Sequence, residues 1–363
     1  MIRVLVVEDS QTVQEHLLAI LGGDPDLRVV GVARDGEEAL GAVAKLRPDV
    51  ITMDIHMPKL DGFEATRRIM ETHPTPIVVV SGSSTLGEAS TAFRAVEAGA
   101  LATVQRPTGV MDSGYEASAR ELVQTVKLMS EVKVVKRWTN HRPHPASANH
   151  AAGGEAEPLP ALERVRLVAI GASTGGPPVL KEMLGSLPAR FPAPILVVQH
   201  MASGFTPGFA EWLADGCALR VGLARQGEIP AAGRVYVAPD GAHLEVRRDG
   251  TLALSGEEAE EGHRPSVARL FRSVADTVGR DALGILLSGT GRDGAAELRL
   301  MKDRGAVTIA QDAASSVVNG MPGEAVRLGG ASLVASPARI IAILNRLANG
   351  QGRGLDEDST GPE

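Results

Sequence analysis

The chain has 363 residues, 44% hydrophobic and 22% charged, with 44 acidic against 37 basic side chains and a single cysteine. At roughly 100–200 residues per domain that length predicts two domains of ordinary globular composition, and the acidic balance excludes a chain-wide basic nucleic-acid binder. Lone Cys217 excludes a disulfide framework and a Cys-rich zinc site. No apolar run approaches the roughly 18–20 residues of a bilayer span, and the opening MIRVLVVEDS lacks a signal-peptide pattern, so a cytoplasmic protein without membrane insertion is expected.

Over residues 1–130, short β-branched apolar runs alternate with amphipathic stretches. Strands are predicted at 4–7, 29–32, 50–53, 77–80 and 101–104, and helices at 12–21, 37–46, 63–72, 87–98 and 116–129. That strict alternation predicts an α/β unit with a doubly wound parallel sheet. Residues 131–162 contain HRPHPASANHAAGGEAEPLP, whose composition offers no face to bury and predicts a flexible linker. Its histidines, His141, His144 and His150, are irregularly spaced and do not suggest a metal site. Residues 163–349 repeat the α/β theme, with strands at 167–170, 195–198, 283–287 and 307–309. A strand-rich insert at 234–254 has hairpin signals at Pro239-Asp240-Gly241 and Asp249-Gly250. Residues 350–363 form a polar tail.

In a doubly wound sheet, chemistry gathers at the carboxyl ends of the strands. In the first unit these ends carry Glu8 and Asp9, Asp54, Ser81 and Arg106. Three carboxylates at one edge repel one another unless a cation sits among them, and Mg²⁺ bound by carboxylates and phosphoryl oxygens would resolve this. Asp54 is then the candidate nucleophile for an aspartyl-phosphate, with Ser81 and Arg106 contacting the phosphoryl group. The bland alternative makes these residues solvated turns and helix caps. VLVVEDS, ITMDIHMPKLDG and VVVSGSS resemble a response-regulator receiver domain over about residues 1–110. That resemblance implies a flavodoxin-like fold, Asp54 as phosphoacceptor, Glu8, Asp9 and Asp54 as the Mg²⁺ site, and Ser81 as the switch hydroxyl. The chain departs from the pattern at Arg106, where lysine is usual, and at Thr103, where the switch aromatic is usual.

In the second unit, the strand at 167–170 runs into Gly171-Ala172-Ser173-Thr174-Gly175-Gly176-Pro177. Three readings stand for this turn: a phosphate-cradling loop, a serine lifted to the sheet top as nucleophile, or Ser173 as a helix N-cap. A nucleophile needs a base and an acid to orient it. The next strand ends at His200, and the strand at 283–287 leads into Ser288-Gly289-Thr290-Gly291-Arg292-Asp293, so Ser, His and Asp share one sheet edge. His243 and His263 are expected at the surface, and Asp240 and Asp249 are explained by turn chemistry.

GASTGGP, VVQHM, VYVAPDGAHLEV, GHRPSVARLFRSVA, LSGTGRDGA and QDAASSVVNGMP resemble the catalytic domain of CheB-type chemotaxis methylesterases over about residues 163–335. The resemblance implies a Rossmann-like domain with the triad Ser173, His200 and Asp293, and Thr174 and Thr290 lining the oxyanion site. Thr290 stands where methionine is common. It further implies demethylation of glutamate methyl esters on methyl-accepting chemotaxis receptors, deamidation of glutamine, and no cofactor for the esterase step. A chemotaxis histidine kinase would be the phosphodonor, and the unphosphorylated receiver would cover the esterase cleft. The rival reading is a non-catalytic, phosphorylation-regulated receptor-binding adaptor. A DNA-binding output is disfavoured because the second half offers no basic recognition helix.

Overall fold

The computed structural model describes residues 1–82, 93–109, 111–112, 114–132, 134 and 162–350. The predicted linker at 131–162, the tail at 350–363 and the first part of the helix expected at 87–98 lie almost wholly outside the described residues.

In the first unit, strands β1 (Ile2–Val7), β2 (Leu27–Ala33), β3 (Val50–Met53), β4 (Ile77–Ser81) and β5 (Ala102–Gln105) pair in parallel in the order β2-β1-β3-β4-β5. Val4 to Val7, Val50 to Met53 and Ile77 to Ser81 are buried throughout, as strands covered on both faces must be. Helices α1 (Gln11–Gly22), α2 (Gly36–Leu46), α3 (Gly62–Thr72), α4 (helical over 93–98) and α5 (Tyr115–Ser130) fill the connections. Asp35 and Asp61 start α2 and α3 by accepting the N–H groups of Glu38 and Glu64 at 2.9 Å each.

The second unit is a seven-stranded parallel sheet. Its strands are β6 (Leu167–Ala172), β7 (Ile195–Gln199), β8 (Arg220–Leu223), β9 (Arg234–Val237), β12 (Ala282–Leu286), β13 (Val307–Gln311) and β14 (Leu333–Ala335), in the order β14-β13-β12-β6-β7-β9-β8. Between β9 and β12, β10 (His243–Val246) and β11 (Leu252–Ser255) form a separate antiparallel hairpin. The expected insert at 234–254 is thus smaller than its sequence suggested. Its first strand belongs to the main sheet, because Val235, Tyr236 and Val237 are buried on both faces, and only β10 and β11 stand apart. Strands β8 and β14 were not anticipated. β8 is a half-exposed edge strand and β14 has three residues, so neither shows a usable apolar period.

The two units pack against one another. Phe93 of α4 lies 5.1 and 5.4 Å, ring centre to ring centre, from Phe209 and Trp212 of α7 (Thr206–Ala214). The Trp212 indole N–H donates to Glu97 Oε1 at 2.9 Å.

Candidate active site

Sequence order reverses between β6 and β12, since later strands run outward to opposite sides from that pair. Such a switch point opens a crevice at the carboxyl edge of a parallel sheet. Ser173 is the first residue beyond β6, is 6% exposed, and is held through its main chain. Its N–H donates to Ser288 O at 3.0 Å, and its carbonyl accepts from Gly176 N at 2.9 Å and Gln199 Nε2 at 2.8 Å.

The turn that follows settles two of its three readings. The N-cap of α6 (Gly176–Gly185) is Gly175 at φ +80°, with no side-chain cap, so Ser173 is not a helix cap. A Cβ at Gly175 would lie 2.5 Å from Val317, so the left-handed turn is closed to other residues. Pro177 and Pro178 remove two of the N–H groups that would cradle a phosphate at this helix start.

His200 follows β7 directly. The β6–β7 register pairs Ala172 with Gln199, and His200 N donates to Ala172 O at 2.9 Å, so Ser173 and His200 stand side by side on neighbouring strands. The imidazole directs Nε2 to Asp293 Oδ2 at 2.8 Å, leaving Nδ1 buried and without a hydrogen-bond partner. Asp293 sits at the N-terminus of α8 (Val267–Thr277). Its Oδ2 also accepts from Val267 N at 2.7 Å, while Oδ1 accepts from Ala268 N at 2.9 Å and Ser266 Oγ at 3.0 Å. Burial alone would raise the Asp293 carboxyl. The hydrogen bond and charge of His200, with the N–H groups of Ala268 and Val267, hold it below the usual aspartate range.

Of the two histidines expected at the surface, one is fully buried and the other half-buried. His263 stacks on His200 with ring centres 3.8 Å apart and planes 5° from parallel. Burial, and then the neighbouring His200, push its pKa down to about 4, so it remains a neutral ring at ordinary pH. His243, at the start of β10, is fully buried. The only available sequence signal was the GHRPS run leading into the amphipathic stretch that became α8. Asp249 shows the expected turn chemistry, accepting Thr251 N at 3.0 Å, whereas Asp240 acts outside its own turn, its carboxylate accepting from Gly204 N at 2.8 Å and from the Thr206 hydroxyl at the start of α7.

Ser173, Thr174, His200, His263 and Thr290 line a cavity of about 450 Å³. Among the described residues, no bond takes the backbone N–H of Thr174 or Thr290. The opposite wall comes from the first unit, including Thr103, Gln124, Thr125 and Leu128.

At the carboxyl edge of the first sheet, carboxylate oxygens of Glu8, Asp9 and Asp54 lie within 4.8 Å of one another. Arg106 Nη2 stands 3.3 Å from Glu8 Oε2 and 3.7 Å from Asp54 Oδ1, and Ser81 is buried beside them at the end of β4. Burial first, and then the Asp54 charge, push Glu8 up to about 7 against the pull of Arg106, and burial likewise raises Asp54. A set of hard oxygen donors carrying more negative charge than Arg106 offsets fits a divalent cation such as Mg²⁺.

Residues 168–344 match the CheB methylesterase family, and residues 4–112 match the response regulator receiver domain. The chain is 54% identical to a protein-glutamate methylesterase/protein-glutamine glutaminase of Nitrosospira multiformis, over 97% of this chain and 98% of that one. It is 51% identical to protein-glutamate methylesterase/protein-glutamine glutaminase 1 of Syntrophus aciditrophicus, over 96% and 99%. It is also similar to the crystal structure of the Thermotoga maritima CheB methylesterase catalytic domain, with 35% identity, 50% of this chain and 98% of that one covered, and a TM-score of 0.49. By its sequence over nearly its whole length, the chain belongs to the CheB methylesterase family, with a response regulator receiver domain ahead of the catalytic domain.

Proposed function

We propose that the chain is a protein-glutamate methylesterase and protein-glutamine glutaminase that acts on methyl-accepting chemotaxis receptors and is controlled by receiver phosphorylation. The observation that carries this reading is the His200 ring, paired through Nε2 with a buried carboxylate while Nδ1 has no hydrogen-bond partner, on a residue that shares a cavity with Ser173 at the end of the adjoining strand. In this reading Nδ1 takes the Ser173 Oγ proton as Oγ bonds to the carbonyl carbon of a glutamate methyl ester. Asp293 stabilises the resulting imidazolium. The Thr174 and Thr290 N–H groups are the donors offered to the oxyanion, each such donor being worth about 10²–10³ in rate. Collapse breaks the carbon–methoxy bond, and methanol departs with the proton from His200. Water, deprotonated by the same nitrogen, then cleaves the acyl-serine and leaves the receptor carboxylate. With glutamine as substrate the leaving group is ammonia.

In the receiver, Asp54 accepts a phosphoryl group from a chemotaxis histidine kinase, and Ser81 and Arg106 bind its oxygens. Glu8, Asp9 and Asp54 would hold Mg²⁺, which supplies positive charge against the phosphoryl oxygens. Because receiver residues wall the cavity that contains Ser173, phosphorylation activates by loosening that wall.

The test is methanol release from methylated receptor membranes. Ser173→Ala abolishes release, and Asp54→Asn keeps basal release but loses stimulation by a phosphodonor. No release by the intact chain would leave only the adaptor reading.

A further inference from the structure

Among the described residues, one fully buried histidine takes no part in the esterase mechanism. His243 is fully buried, on the hairpin and outside the cavity wall. Both of its ring nitrogens are engaged: Nε2 meets Glu258 O at 3.0 Å, and Nδ1 accepts the Ser266 N–H at 3.2 Å. A carbonyl can only accept and an N–H can only donate, so the ring is the neutral tautomer with its proton on Nε2.

Ser266 is the N-cap residue of α8, and its hydroxyl donates to Asp293 Oδ1 at 3.0 Å. The next two N–H groups, of Val267 and Ala268, grip the same carboxylate. A continuous chain of hydrogen bonds therefore runs from His243 through Ser266 and Asp293 to His200. Besides these donors, Asp293 is faced by the neutral ring of His263, and Glu260 adds a repulsive charge nearby.

We propose that His243 is a positioning residue for the esterase reaction, fixing the Ser266 main chain so that the start of α8 presents Asp293 to His200. The inference rests on the triad reading above. The competing view is that His243 only fills space under the hairpin. The two differ at a single ring atom, because positioning needs the Nδ1 acceptor and space-filling does not.

Asparagine places its amide oxygen near the position of Nδ1, and glutamine places its amide nitrogen near that of Nε2. His243→Asn keeps an acceptor for Ser266, whereas His243→Gln keeps the donor to Glu258 and loses that acceptor. Misplacement of a catalytic group by about 1 Å costs about 100-fold, so His243→Gln is expected to lower kcat by about 10- to 100-fold, with KM changed less than about twofold. The acid limb of its kcat/KM profile moves to lower pH as the imidazolium loses its well-placed partner. His243→Asn keeps kcat within about threefold of the unaltered chain, scaled to the same displacement argument.

A substrate-free readout accompanies the kinetics: the proton NMR resonance of His200 Nε2–H in the full-length protein. It moves upfield or broadens in His243→Gln and stays in place in His243→Asn. If both variants lose activity and thermal stability alike while resonance and acid limb stay put, His243 is a space-filler and the proposal is wrong. If the unaltered chain releases no methanol, the triad reading fails on its own. The resonance then still reports whether His243 governs the Asp293–His200 bond, and an unmoved resonance in His243→Gln overturns that too.

Discussion

Replacing Asp293 with asparagine keeps the size of the side chain and removes its charge, and the surroundings set the consequence. The carboxylate accepts two hydrogen bonds on each oxygen: His200 Nε2 and Val267 N on Oδ2, Ser266 Oγ and Ala268 N on Oδ1. The new amide nitrogen can only donate, so in either orientation it confronts a backbone N–H that cannot reverse. Turned toward His200, it orphans Val267 N–H and drives the imidazole into the other tautomer, which presents a donor to Ser173. Turned toward Ser266, it orphans Ala268 N–H and leaves His200 against a neutral partner. Losing one hydrogen bond to a charged group costs about 1.5–3 kcal/mol of stability. Losing the counter-charge or the tautomer costs on the order of 10³–10⁴ in kcat. Stability carries its own pH signature. The Asp293 pKa is depressed in the folded chain, so its contribution is full above the unfolded value of about 3.9 and is lost as pH falls through the lower folded value. The stability gap between the two proteins should therefore narrow below about pH 4. Urea unfolding across pH measures the gap, and methanol release from methylated membranes measures kcat. An Asp293→Asn protein within tenfold of normal kcat would show that this carboxylate does not serve the reaction.

Other expectations concern the receiver and its contact with the catalytic domain. Glu8 has its pKa raised on folding, so the folded state holds extra protons and stability falls as pH rises from about 4.5 through about 7. The fall amounts to about 3 kcal/mol at 1.36 kcal/mol per unit. Thermal unfolding of the full chain reads this fall, which Mg²⁺ should oppose and Glu8→Gln should flatten. A Cβ at Gly82 would lie 2.9 Å from the Arg106 guanidinium carbon, so Gly82→Ala pushes that flexible group off the acidic site. It should weaken calorimetrically measured beryllofluoride binding roughly tenfold or more, the worth of a charge-assisted hydrogen bond. Trp212→Phe keeps the stack on Phe93 but deletes the bond to Glu97. At about 1 kcal/mol it should raise unphosphorylated methanol release about fivefold, and unchanged basal release would mean that this contact is not a brake.

The parts of the molecule legible beforehand were those written in local order. Runs such as Val50–Met53 and Ile195–Gln199 are apolar because both sheet faces are covered, and the residue after each run must then lie at the functional edge. That rule placed Asp54, Ser173 and His200, and the glycines around Asp293 placed the carboxylate. Illegible were features made by contacts between distant segments. Nothing near His263 announces that it lies flat on His200, and His243 acquires its partners only when the hairpin meets α8. Arg234–Val237 was misassigned for a related reason, because four residues beside turn signals look alike in a hairpin and in a central strand.

The geometry also constrains how a phosphoryl group on Asp54 could reach Ser173. Ser81 pairs in register with Gln105, and Arg106 N donates to Ser81 O, so the side chains proposed to contact the phosphoryl group flank the end of β5. Thr103, two residues back on β5, lines the esterase cavity. A threonine there has no large ring to swing, which leaves backbone displacement and the contact of α4, which carries Phe93 and Glu97 against α7, as the route to weigh. Aromatic pairs contribute about 0.5–1.5 kcal/mol each beyond their burial, and one hydrogen bond about 1 kcal/mol. Shifting a population from 1:99 to 99:1 takes about 5.5 kcal/mol. Beyond the burial of its rings, the Phe93 cluster and the Glu97–Trp212 bond supply a few kcal/mol of specific contact energy, comparable to that requirement. If the receiver restrains the cleft, specific contacts of this size are of the order that one charged modification could offset.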